Sequence, residues 1–196
     1  MALLCCTSAR AQSVPRQATT KQIKPSKQQL RQLILDLQVT ALKCDQKTAA
    51  LARQVFQTVE IYRLRKKRFP NSVAEVQELK GSANLPSEKF PPPCPYNDPT
   101  LVSQELRQEL INAGNPPSEF CKIIIENDPF ISPSFPMSLN NVRLAPATGA
   151  PGTIIVKYNA NYYLAVWCMG FAGKPIVDEK SQLPLVFFRD FSATFE

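Results

Sequence analysis

The chain contains no histidine, one tryptophan and only six glycines in 196 residues. Without histidine, most zinc sites and every Cys–His or Ser–His nucleophile are excluded. The six glycines form no glycine-rich loop, so no backbone cradle for a phosphate is expected. No pair of cysteines shows the C-x-x-C spacing of a zinc ribbon or redox centre. No apolar run approaches the roughly 20 residues of a membrane-spanning helix. Acidic residues are missing from the first 35 positions. No cofactor, metal or small-molecule substrate is expected from this inventory.

Proline is plentiful. Of the 18 prolines, 16 lie after residue 69. The first third is therefore free to be helix, and the remainder must be short strands, turns and extended loop. The hydrophobic fraction of 44% with 20% charged residues is that of a folded chain. The net charge of +7 is unevenly placed: residues 1–35 carry +6, residues 36–68 carry +5 and the rest carries −4. A nucleic-acid domain concentrates basic charge on a folded reading surface. Here the charge sits on a tail and a helix end, so nucleic acid is not the expected partner.

At the start, MALLCCTSARAQS resembles the end of a secretory signal peptide, with Ala9-Arg10-Ala11 as a small-x-small cleavage site before Gln12. An organellar transit peptide and a plain basic tail are the alternatives. Export, to the periplasm or the extracellular space, is the expected localisation, with an organelle as the other choice. Beyond residue 11 four cysteines remain, an even count that reads in an exported chain as two disulfides. The expected pairs are Cys94 with Cys121, which flank a short helix, and Cys44 with Cys168, helix to sheet. The other two connectivities, and four buried reduced thiols in place of any bridge, stay open.

From Leu30 to Leu64 apolar residues recur at steps of three and four: Leu30, Ile34, Leu37, Ala41, Cys44, Thr48, Leu51, Val55, Val59 and Tyr62. Leu35, Leu42, Ala49 and Phe56 widen this stripe. A helix of about 35 residues spans roughly 50 Å, longer than a small domain is wide, so part of it is expected to protrude or pack on a partner. TIIVKY (153–158), YYLAVWCM (162–169) and LPLVFFRDFSATF (183–195) read as strands, the first two as a hairpin. CKIIIE (121–126) could add a fourth strand. DPTLVSQELRQELINAG reads as a short helix capped by Asp98 and stopped by Gly114. The expected fold is α+β: a long N-terminal amphipathic helix on a small antiparallel sheet of three to four strands, with a proline-rich insertion carrying a short helix. Its parts would be a signal-peptide remnant at 1–11, a flexible basic tail at 12–29 and one domain over 30–196. That domain divides into helix (30–68), proline-rich region (86–152) and sheet (153–196).

ARQVFQTVEIYRLRKKRFPNSVAEVQEL (52–79) resembles the helix-to-loop junction of type IV pilins and of type II secretion pseudopilins. Ile61, Tyr62, Arg63, Leu64, Arg68, Phe69, Pro70 and Ser72 stand at the places that carry the likeness. GAPGTIIVKYNANYYL and MGFAGKP follow in the family's order. The apolar half of the family's helix, about 20 residues long, has no counterpart, since ATTKQIKPSKQQ stands there. What carries over is the globular half. The resemblance implies a non-enzymatic protein that works through protein–protein contact with filament or secretion-system subunits.

The basic run Arg63, Arg65, Lys66, Lys67 and Arg68 has two readings. As structure it complements the negative end of the helix dipole; as function it binds an acidic partner. A second functional reading is a binding module that uses basic residues 10–31 on an anionic surface. Catalysis is not expected, because the only paired carboxylates, Asp178 with Glu179 and Glu126 with Asp128, lie in polar loops.

Overall fold

The computed structural model describes residues 26–78, 90–128 and 149–191. The expected signal-peptide remnant, nearly all of the basic tail, residues 86–89 and 129–148 of the proline-rich region and the end of the last expected strand lie outside the described residues.

Helix α1 spans Lys27–Lys66. It starts where Ser26 Oγ accepts the Gln29 amide and the Gln29 side chain accepts the Ser26 amide, a reciprocal capping box. It stops at Lys67, whose φ of 57° is left-handed, after a last turn carrying Arg63, Arg65 and Lys66. At 40 residues the helix is about 60 Å long. Its buried residues all lie in the C-terminal two thirds, from Cys44 through Thr48, Ala52, Val55, Thr58 and Val59 to Tyr62. Ala52 and Thr58 thus belong to the buried face, while the half-buried Leu51 lies at its margin.

The sheet has strands β1 (Ile123–Asn127), β2 (Ile154–Asn159), β3 (Tyr163–Cys168) and β4 (Val186–Asp190), in that spatial order. β2 and β3 form the expected hairpin, with Ile154 opposite Cys168 and Asn159 opposite Tyr163. β4 is antiparallel to β3. β1 runs parallel to β2, which corrects the expectation of a purely antiparallel sheet. Parallel neighbours need a crossover of a dozen or more residues, and residues 128–153 supply that length.

Strand alternation divides the side chains between two faces. Ile154, Val156, Tyr158, Leu164, Val166 and Cys168 pack with Ala52, Val55, Val59 and Tyr62 of α1. Ile155, Tyr163, Ala165 and Trp167 form a separate cluster with Met169. Fully burying one such aliphatic or aromatic side chain stabilises by about 1.5–3 kcal/mol. The helix–sheet seam therefore outweighs any of the surface ion pairs.

Helix α2 (Val73–Gln77) follows the elbow, and α3 (Gln104–Asn112) lies in the proline-rich region. α3 begins later than expected, capped by Ser103 rather than Asp98. The Asp98 carboxylate instead accepts the Thr100 amide at 2.9 Å and hydroxyl at 2.6 Å, a local turn that competes with helix. Its end is as expected: Gly114, at φ 93°, donates to Ile111 O and Asn115 donates to Leu110 O, a Schellman closure.

The bridge expected between Cys94 and Cys121 is formed, with Cα atoms 5.4 Å apart. Cys44 and Cys168 are free and buried, so the second expected bridge is absent. Cys168 does face the helix, and Trp167 faces away. Cys44, however, packs with Tyr96, Val102, Leu110 and Phe120 in the layer that contains α3. It lies eight positions before Ala52, the first α1 residue of the helix–sheet cluster, a rise of about 12 Å along the axis.

Candidate functional site

Two surfaces stand out, one at each end of α1. On the N-terminal part, Leu30, Leu33, Ile34, Leu35, Leu37, Val39 and Leu42 are between 39% and 62% exposed. Leu30, Leu33, Ile34 and Leu37 continue the same face that is buried further on. Leu35, Val39 and Leu42 lie about 120–180° around the helix from Leu30. Helices with apolar side chains on most of their circumference are enclosed by neighbours rather than bathed in water.

The other end is the elbow. Tyr62 OH donates to Glu75 Oε2 at 2.9 Å, Arg68 Nη1 donates to the same oxygen at 2.6 Å, and the Asn71 amide donates at 3.2 Å. The Arg68 bond, then those of Tyr62 and Asn71, hold the Glu75 carboxyl down to a pKa of about 2. Arg68 also donates to Phe69 O, and Tyr158 OH donates to Asn71 Oδ1 at 3.2 Å. The Phe69 ring stacks on Tyr158 at 4.5 Å. Arg63 lies over Phe69 and Phe191.

Of the basic run, Arg63 and Arg68 are thereby built into the fold. Arg65, Lys66 and Lys67 are exposed. A cleft of about 390 Å³ opens here, with Arg63, Lys67, Arg68 and Phe69 on one side and Ala160 and Asn161 of the β2–β3 turn on the other. Nothing in the order of residues joins positions 67 and 161; packing of β2, through Tyr158, on Phe69 and Tyr62 brings them together. Glu75, three residues after the Ser72 cap, was visible as a capping signature, yet its carboxylate serves Tyr62 and Arg68 instead. Leu33, on the face of the stripe, and Val39, opposite it, are absent from the expected set.

A further polar contact lies at the half-buried Asp45. Asp45 Oδ1 accepts the Phe171 amide at 2.7 Å, pinning the chain after β3 to α1. Burial, then the Asp45 charge, push the Cys44 thiol up to about 11 and the Cys168 thiol up to about 12. Both therefore stay protonated and poorly nucleophilic. Three of the four paired carboxylates serve structure: Glu126 pairs with Lys157 at 3.4 Å, Asp128 accepts Tyr163 OH at 2.8 Å and Asp178 accepts the Ser181 amide and hydroxyl.

No family model, curated protein or solved structure matches this chain. Among the described residues, no helix is long and apolar enough to cross a membrane. The disulfide is of the kind that persists in oxidising compartments.

Proposed function

We propose that this is a non-enzymatic, exported, pilin-like or pseudopilin-like protein that acts through protein–protein contact in a secretion or surface-appendage system. The observation that carries this reading is the exposed aliphatic girdle of α1 between Leu30 and Leu42. Seven large apolar side chains left in water, on more than one face of a helix, are the mark of an interaction surface. A partner with one or more apolar helices buries them as the sheet buries the second half of α1. The disulfide supports export, and the junction at Tyr62–Ser72 supports the family likeness.

Photo-crosslinking residues placed at Leu33, Leu35 and Val39 test the reading in the native host. The expected result is a covalent adduct to another chain, lost in a Leu35→Lys/Leu42→Lys variant whose melting temperature is unchanged. Crosslinks confined to the chain's own residues would overturn it.

A further inference from the structure

The elbow cleft lies about 36 Å along α1 from the end of the exposed girdle, counted over the 24 steps from Leu42 to Lys66. The helix contact proposed above makes no use of it. We propose that this cleft receives carboxylate side chains from an acidic segment of a partner protein.

Three cations line it, and two of them are held in place. Arg68 is fixed by Glu75 and Phe69 O, and Arg63 is held over Phe191 and Phe69. Contacts of a guanidinium carbon with aromatic rings use none of its five N–H donors. Little side-chain freedom remains to be lost when an anion arrives. Lys67 supplies charge that no acid of the described residues balances, and Lys66 beside it is likewise unpaired.

The remaining lining decides what kind of anion fits. Leu64, Phe69 and Ala160 give the cleft an apolar component, which suits the methylene stem of a glutamate better than a bare inorganic ion. A volume of about 390 Å³ is in the range of small-ligand sites, enough for a few side chains of an extended segment and too confined for a nucleic-acid duplex. The far wall is firm, because the Asn161 amide already donates to Asn159 Oδ1 at 3.1 Å.

The test is a titration of the ¹⁵N-labelled full chain with a hexaglutamate peptide, read at the amides of Ala160 and Asn161. Saturable shifts at both are expected. Lys67→Asn removes the charge while keeping a residue that accepts the left-handed backbone, and should weaken binding about tenfold, the loss of one charged hydrogen bond. Lys67→Arg should retain it. Lys66→Gln, outside the lining, should change it by less than about twofold, as for an exposed rim charge. Equal weakening by the 66 and 67 variants would overturn the proposal, as would shifts confined to the basic residues before position 32. Tighter binding of a heparin fragment or of inorganic phosphate at the same amides would also overturn it. The proposal shares with the preceding reading only that the partner is a protein. Because the assay involves no helix partner, loss of the girdle contact and loss of this site are read separately.

Discussion

The Arg63 guanidinium lies 3.8 Å from the centroid of the Phe191 ring, joining the last turn of α1 to the residue that follows β4. It also lies 5.4 Å from the Phe69 ring, so one cation spans two aromatic faces in a half-buried setting. Contacts of this kind contribute from about 0.5–1 kcal/mol when exposed to about 2 kcal/mol when desolvated. Arg63→Ala is expected to lose an amount in that range in chemical denaturation, and Arg63→Lys less. A change below about 0.5 kcal/mol, the level of an ordinary surface substitution, would show that the stacking carries no stability.

Glu75 gives the elbow a pH dependence of definite sign. Its folded pKa is about 2, against 4.5 for the free side chain. The stabilisation is complete above about pH 4.5 and is lost as pH falls towards 2. Melting temperatures of the wild type should fall more steeply across that window than those of Glu75→Gln, which starts lower at neutral pH. The lowered carboxyls of Asp98 and Glu105 add a slope common to both proteins. Parallel curves would refute the role of Glu75.

Gly152 sits at φ 77°, and a Cβ there would lie 2.7 Å from Cys121 Sγ and 2.9 Å from Tyr96 Cε2. The left-handed backbone alone costs a non-glycine residue about 1–3 kcal/mol, and the disulfide sulfur cannot retreat. Gly152→Ala should therefore destabilise by at least that amount. Gly114→Ala is the control: φ is 93° but nothing lies within 4 Å, so its loss is expected to be backbone strain alone.

The disulfide and the two free thiols make separate predictions. Cys94 and Cys121 are 27 positions apart, and closing such a loop stabilises by about 3.5 kcal/mol in the chain-entropy model. The Cys94→Ser/Cys121→Ser double variant should lose up to that amount. Cys44 and Cys168 should resist alkylation in the native protein at neutral pH and react only on unfolding, as site-resolved mass spectrometry can read. Rapid native labelling of either would contradict their burial.

Local signals in the chain were sufficient for the long helix, the β2–β3 hairpin, the Gly114 stop and the α+β class, because each depends on periodicity or turn chemistry within a few neighbouring residues. The Cys94–Cys121 bridge was legible for a similar reason, since both cysteines flank one compact segment. The direction of β1 was not, because a short apolar strand pairs equally well either way until its crossover is placed. The expected bridge from Cys44 to Cys168 failed for the same kind of reason: the stripe sets the face of Cys44 on the helix, while only the packing of α3 and Tyr96 over that turn decides its neighbours. The basic run shows the division most clearly. Its five charges are evident in the order of residues, but which are bound into the fold and which face a cleft depends on Phe191, Glu75 and Asn161, brought from distant positions by sheet pairing and the elbow.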